Sequence, residues 1–429
     1  MDKTFVGFGF GPIQSGLFLY EAYASGNFSH YVVAEIDAEL VNAVRANGGA
    51  YTINIARKNR IDQVTVSGVE LYDPRQRADR ESLVEAITAA DEMATALPSV
   101  NFYGSGGEAG VARTLAEGLG RRDAARPAII YAAENHNHAA EILYEKLTAH
   151  ASPAALDRVQ ILNTVIGKMS GVITDREQIA RFGLRTMTAH TARAILVEEF
   201  NRILISRVSV AGYRRGIEVF VEKDDLLPFE EAKLYGHNAI HALIGYLGEL
   251  RGLTSMAEAA QHPDLMQIAR RAFIDESGAA LCRRHANLGD PLFTPDGFAA
   301  YADDLLERMV RPNLNDLVAR VIRDPVRKLG YDDRFFGTMR LAIEHGIRPT
   351  YLARGAAAAV VSMVRHQDQL QDRPAQLPAS FERLTRDSLH GMLFGIWGRE
   401  DAAASQAIEL TWRAMQELWP RKRSGFSAG

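Results

Sequence analysis

The chain has 429 residues, 47% of them hydrophobic and 24% charged, a globular composition long enough for two domains of ordinary size. Lys and Arg number 49 against 53 Asp and Glu, and the net charge of -4 excludes a broad electrostatic attraction to nucleic acid or to an anionic membrane surface. No apolar run approaches the roughly 20 residues that span a bilayer, and the single cysteine, Cys282, excludes intrachain disulfides and cysteine-based zinc sites, so a cytoplasmic protein is expected.

In chain order, residues 4–10, 31–36, 92–97 and 128–133 are short apolar runs that read as buried parallel strands. Between them, residues 13–23 and 38–46 carry apolar side chains at helical spacing, as the crossover helices of a doubly wound sheet do. Residues 62–72 alternate and predict an extra strand or hairpin. A last β-rich piece at 217–221 precedes the charged, proline-bearing stretch 222–228, which marks the domain boundary. Beyond it the period is helical, punctuated by Gly248, Gly252, Pro263, Gly289, Pro312, Pro325 and Pro349. Cys282 falls in one of these helices, where a buried structural thiol is expected. The fold class is therefore α/β, an N-terminal Rossmann-type doubly wound sheet in residues 1–227 followed by an all-helical domain in residues 228–429.

The first strand runs into Gly9-Phe10-Gly11-Pro12-Ile13-Gln14-Ser15-Gly16, after which a helix begins. Glycine there allows a tight turn and lets the backbone approach a pyrophosphate at the positive end of a helix. Gln14 stands where the third glycine of the usual pattern belongs, and Gly16 follows two residues later. Glu35 closes the second strand, where a carboxylate bonds both ribose hydroxyls of an adenosine and repels a 2'-phosphate, so NAD is favoured over NADP. Asp37 is the alternative for this role. A tight structural turn with a solvated Glu is the competing explanation.

The second informative segment is Lys233-Leu234-Tyr235-Gly236-His237-Asn238-Ala239-Ile240-His241, which opens a long apolar helix. At about 100° per residue, Asn238 and His241 stand roughly 140° and 80° from Lys233, so one cleft wall accommodates all three. A lysine shielded from water or set beside another cation loses proton affinity and becomes a general base near neutral pH. A snorkelling Lys, an exposed Asn and a hydrogen-bonded core His are the bland alternative.

Together these segments resemble the polyol-specific long-chain dehydrogenases, whose signature is a Lys, four residues, an Asn, two residues and a His. Further segments agree in order with the mannitol-1-phosphate branch: Phe8-Gly9-Phe10-Gly11-Pro12-Ile13, Val66-Ser67-Gly68-Val69, Glu134-Asn135, Glu276-Ser277-Gly278-Ala279, Arg327-Lys328-Leu329 and Ala356-Ala357-Ala358. The resemblance implies a metal-independent oxidoreductase of carbohydrate metabolism, acting on a small polyol as a monomer or small homo-oligomer. It makes Lys233 the catalytic base, with Asn135 and Asn238 as donors to the reacting oxygen and His241 orienting the substrate or the lysine. Expected cofactor contacts are Gly9, Gly11, Pro12, Ile13, Glu35, Thr95, Ala96 and Asn135. Glu230 matches a carboxylate that conducts the proton in some relatives, and Lys168, Arg327 and Lys328 are the expected substrate contacts.

Two stretches depart from the pattern. Ile166-Gly167-Lys168-Met169 replaces the usual Val-Asp-Arg-Ile, which removes an acid, exchanges an arginine fork for a lysine and creates room at Gly167. His136-Asn137-His138 replaces a stretch that often brings a basic residue; a metal site there lacks a third ligand, and exposed loop residues are expected. The substrate is accordingly open between a mannitol phosphate, free mannitol or a sugar acid, and a bulkier derivative such as a mannityl amino acid of the opine type. A non-catalytic NAD-binding sensor is the alternative from another class.

Overall fold

The four apolar runs expected to be buried strands form the middle of one sheet in the computed structural model, which describes residues 3–419. The strands in chain order are β1 (Lys3–Phe8), β2 (Phe28–Ala34), β3 (Tyr51–Ala56), β4 (Ile61–Val66), β5 (Val69–Tyr72), β6 (Glu92–Thr95), β7 (Ala128–Ala132), β8 (Val159–Val165), β9 (Ser170–Ile173), β10 (Ala194–Glu198), β11 (Leu204–Ser206) and β12 (Val221–Lys223). The larger sheet has the order β12-β11-β8-β7-β6-β1-β2-β5. From β5 to β8 all neighbours are parallel, the 3-2-1-4-5-6 winding of a doubly wound dinucleotide fold, with the order reversing beside β1. Strand β11 pairs antiparallel with β8 and parallel with β12.

A second sheet, β4-β3-β10-β9, was not foreseen. It corrects the expectation for residues 62–72: β4 pairs antiparallel with β3 in the small sheet, whereas β5 pairs parallel with β2 in the large one, and Gly68 at φ 74° turns the chain between them. Strand β3 is buried along its whole length despite Thr52 and Asn54. The fully buried Asn54 amide donates to the carbonyls of Arg185 and Ile195 at 2.8 and 2.9 Å, and its oxygen accepts from the Arg185 amide at 2.8 Å. Every polar atom is satisfied, so the polar strand tolerates burial.

The chain divides into Met1–Leu227 and Pro228–Gly429. In the second unit the described residues form helices and no named strand. Helix Ala239–Leu250 is buried nearly all round and packs on Thr350–Arg365, where Ala356, Ala357, Ala358 and Ala359 are fully buried. A Cβ on Gly355 would stand 3.0 Å from Leu243, which shows how closely small residues let these helices approach. Glu276 closes the N-terminus of Thr350–Arg365, accepting from the amides of Tyr351 and Leu352 at 2.7 and 2.8 Å. Cys282 is half-buried rather than fully enclosed, and burial pushes its thiol up, away from the reactive thiolate.

Among the described residues, three helices open or are interrupted by a π-helical turn: Gln14–Phe18, Ala232–Asn238 and Ala272–Gly278. Such i→i+5 turns are rare and concentrate at functional sites. The first two fall on the segments singled out from the sequence.

Candidate active site

The glycine loop leaves β1 and enters its helix through the first π-turn. Gly9 sits at φ 80°, and a Cβ there would lie 2.9 Å from the Ala96 carbonyl, so both the conformation and the contact require glycine. A Cβ on Gly11 would meet nothing within 4 Å: the backbone there faces open space. Pro12 and Ile13 are half-buried beside it. Gln14, in place of the third glycine, is fully buried against β1, and its packing space comes from Gly7, whose added Cβ would stand 2.1 Å from the Gln14 amide nitrogen. Close packing of helix and strand is thus kept, with the glycine moved from the helix to the strand. Gly16 packs on the second sheet, where a Cβ would clash with Val197 at 2.4 Å.

Glu35 follows β2 with its carboxylate clamped by three backbone amides, Phe10 at 2.7 Å, Ile36 at 2.7 Å and Asp37 at 2.8 Å. It therefore ties the glycine loop to the end of β2. Asp37 is committed elsewhere, capping helix Ala38–Ala46 and pairing with Arg193 at 2.6 Å. At the ends of β6 and β7, Thr95 is fully buried and gives its hydroxyl to Glu134 at 2.9 Å, while the other Glu134 oxygen accepts from the Leu97 amide at 2.9 Å. Tyr103 donates to the same carboxylate. Burial raises the Glu134 carboxyl, with those donors opposing. Glu134, seen in the sequence only as a landmark, thus joins the loop holding Ala96 to the one holding Asn135. Asn135, His136 and His138 are exposed, and the His138 amide donates to His136 Nδ1 at 3.0 Å. Among the described residues no group of three His, Cys, Asp or Glu stands close enough to hold a metal ion.

In the second unit, the lysine segment is the π-turn Ala232–Asn238, continued by helix Ala239–Leu250. The Ala239 amide reaches back five residues to the Leu234 carbonyl. This corrects the angles derived from a regular α-helix: Lys233 and Asn238 are separated by the repeat of the turn itself, which draws them toward one face. The wider turn has clear physical support. The Tyr235 carbonyl accepts from Ser277 Oγ at 2.8 Å and Thr338 Oγ1 at 3.4 Å, and Gly236 makes room for Phe273 of the neighbouring π-turn, 2.8 Å from where its Cβ would be.

Lys233 is half-buried, and its ammonium is lowered to about 8 by burial and by the Arg334 guanidinium, with Glu230 opposing. Burial likewise drives the His237 ring well below its ordinary value, so it is neutral, and its ring lies 6.2 Å from that of His241. His241 Nε2 meets Asp316 Oδ2 at 2.8 Å, and the other oxygen of this buried carboxylate takes Arg320 at 2.7 Å. Asp316 and Arg334 went unrecognised in the sequence. An Asp and Arg four apart in residues 316–320 signal only a local pair; nothing local shows the histidine 75 residues away.

Residues 316–334 concentrate charge. Arg327 bonds Asp324 at 2.6 Å and lies 3.8 Å from Asp333, which pairs with Arg334 at 2.7 Å. Lys328 is buried and is lowered to about 7 by burial and by Arg334 and Arg327. Arg327 also lines a cavity of about 710 Å³ with Arg323, Asp324, Ser362, His366 and Asp372. In the first unit, a Cβ on Gly167 would make only ordinary contact with Phe200 at 3.8 Å, so there is room, whereas Lys168 is buried and donates to the Phe200 carbonyl at 2.9 Å near Glu21. The structure thus uses Lys168 to brace its own loop.

Residues 225–379 match the family model of the mannitol dehydrogenase C-terminal domain. The chain carries a mannitol dehydrogenase C-terminal domain. It is an oxidoreductase, and the match covers the lysine segment on which the resemblance of its motifs rests. Mannitol-1-phosphate 5-dehydrogenase of Bacillus licheniformis is 29% identical over 336 residues, 77% of this chain and 80% of that one. The enzyme of the same name from Exiguobacterium sibiricum is 28% identical over 83% of this chain and 84% of its own. The fold is shared with a substrate-free D-sorbitol dehydrogenase, at a TM-score of 0.76 and 15% identity over 97% of this chain and 94% of that one. It is shared too with Pseudomonas fluorescens mannitol 2-dehydrogenase, solved with NAD and D-mannitol, at 0.69 and 15% over 97% and 92%. No helix among the described residues is long and apolar enough to cross a membrane.

Proposed function

We propose that this chain is an NAD-dependent dehydrogenase that moves a hydride to or from a hydroxyl-bearing carbon of a mannitol-type substrate, with mannitol 1-phosphate and fructose 6-phosphate as the pair to test first. The observation that carries this is a lysine lowered to about 8 on a π-turn, five residues before an asparagine, inside a mannitol dehydrogenase C-terminal domain. Such a lysine holds and releases a proton near neutral pH without a metal.

The first unit fits the dinucleotide: Gly11 leaves backbone open to a pyrophosphate at a helix N-terminus, and Glu35 stands where the adenosine ribose is recognised. NAD, when bound, supplies the hydride acceptor. In oxidation the neutral Lys233 amine takes the hydroxyl proton, and in reduction the ammonium returns it. Asn238 donates to the oxygen as negative charge grows there, and the roles of Asn135 as a further donor and Glu230 as a proton conductor rest on the resemblance. His241, held by Asp316, orients what Lys233 acts on. Arg327 and Lys328 offer cations for substrate hydroxyls or a terminal anion.

A second reading, the same chemistry on a mannitol derivative bearing an amino acid, is favoured by the cavity beside Arg327, which presents both signs of charge. A panel of polyols, polyol phosphates, sugar acids and mannityl amino acids, scored by NADH absorbance, separates the two. Binding of NADH with no turnover of any member of the panel would instead favour a sensor.

A further inference from the structure

Beside Glu35 lies a second charged side chain that neither the motifs nor the relatives assign. Arg75 follows β5, the strand next to β2, and the Glu35 amide donates to the Tyr72 carbonyl at 2.9 Å, so the two loops leave the sheet side by side. This is the carboxyl end of the parallel strands, where doubly wound sheets bind their ligands. The guanidinium of Arg75 is locked in one plane. Its Nε donates to Asp73 Oδ1 at 2.9 Å and its Nη2 to Asp73 Oδ2 at 2.8 Å, while Nη2 also donates to the Ile36 carbonyl. Asp73 is buried, which makes the anchor firm; Arg75 itself is half exposed.

Two features point outward from this anchor. The third guanidinium nitrogen, Nη1, has two N–H groups with no partner among the described residues. Ile36, whose carbonyl fixes Arg75, exposes 57% of its surface, the largest such fraction among the exposed large hydrophobics of the described residues. An apolar face, a clamped carboxylate and an immobilised cation with spare donors thus converge at the end of β2. A planar, apolar-faced base on a hydroxylated ribose matches that set, and a fixed guanidinium stacks on such a base and bonds its sugar at little cost in side-chain freedom.

Building on the NAD assignment, we propose that Arg75 is a second nucleotide-recognition residue, donating through Nη1 to the adenosine ribose that Glu35 also holds. It follows that Glu35 is the barrier to a 2'-phosphate and Arg75 the group that would receive one. Specificity then belongs to the pair: Glu35 excludes by charge, and Arg75 decides what enters when that charge is gone.

Titration calorimetry on the full-length chain, with NADH, NADPH and 2',5'-ADP, tests this without turnover. R75M is expected to weaken NADH about three- to tenfold. E35Q is expected to gain at least tenfold in affinity for NADPH and 2',5'-ADP, and E35Q/R75M to lose that gain. Melting temperatures accompany each titration, and R75Q, which keeps a planar amide near the Ile36 carbonyl, replaces R75M if the latter is unstable. Equal NADPH affinity in E35Q and E35Q/R75M, or unchanged NADH affinity in R75M, overturns the role of Arg75 while leaving the NAD assignment standing. An unmodified chain that binds neither dinucleotide overturns both.

Discussion

The glycine loop of the first unit and the lysine turn of the second are both built on π-helical turns, yet their residues are selected by opposite demands. The loop is defined by absent side chains: Gly9 turns the chain close against Ala96, Gly11 exposes backbone, and Gly7 hollows out the strand beneath so that Gln14 can be buried. The lysine turn is defined by present ones, with Lys233 buried and set near Arg334 until it gives up proton affinity, and His237 held neutral by its own burial. A binding site made of backbone tolerates displacement of its pattern, because any residue that restores the space restores the shape. A site made of titrating side chains tolerates none, because each charge sets the next.

The largest expected effect breaks the second region alone. Lys233→Ala should lower turnover roughly hundred- to ten-thousandfold while leaving NADH affinity nearly unchanged, measured by single-turnover absorbance and by titration on one preparation. A folded variant with more than a third of the original rate would refute the catalytic role. In the unmodified enzyme, alcohol oxidation should rise with pH through about 8, since only the neutral amine accepts a proton, and carbonyl reduction should fall over the same range. The variant should lose this step from both profiles.

Gly9→Ala tests the first region, and its effect should fall on binding instead. The left-handed backbone and the 2.9 Å contact with Ala96 give a strain of about 1–3 kcal/mol, enough to weaken NADH by roughly ten- to hundredfold if the loop relaxes by shifting. Unchanged affinity would mean that the loop does not hold the dinucleotide.

Asp316→Asn sharpens the account of the second region by keeping shape and removing charge. With His241 less firmly held, turnover should drop about tenfold, and His241→Ala in the same background should add little, because the two act as one unit. Fully additive losses would show that Asp316 works through Arg320 instead.

A smaller effect probes the displaced glycine. Gly7→Ala should cost about 1–3 kcal/mol by forcing Gln14 out of place, and the Gly7→Ala, Gln14→Ala double variant should recover most of the lost melting temperature. Failure to recover would show that the space at Gly7 serves something other than Gln14. The smallest change of all is expected from chelators: dialysis should leave activity intact, and loss restored by zinc would return His136 and His138 to consideration.

The parallel core of the first unit was legible because its strands are buried on both faces and read as unbroken apolar runs. The small sheet was not. Its central pairing joins strands far apart, β3 against β10, and Asn54 disguises the middle of β3 as polar because the groups that satisfy it are 131 and 141 residues away. The lysine, asparagine and histidine stood out by spacing, but the geometry of that spacing did not, since the π-turn depends on hydroxyl donors from Ser277 and Thr338 and on the ring of Phe273. Asp316 and Arg334 were hidden for the same reason. Their partners are set by helix packing, and the local sequence shows only ordinary ion pairs.

The turn at Ala232–Asn238 also decides what a transplant of this site would need. A π-turn holds one more residue between bonded groups than the α-helix that continues it, so it behaves like a single-residue insertion that the rest of the helix never absorbs. Forcing the segment into regular α-helix with no residue removed would turn Asn238 to about 140° from Lys233 while every side chain of the signature survived. Grafting the lysine, asparagine and histidine onto the surface of a straight helix would fail in the same manner. The portable unit is larger: the turn, the glycine that lets Phe273 in, and the two hydroxyls that occupy the loosened Tyr235 carbonyl.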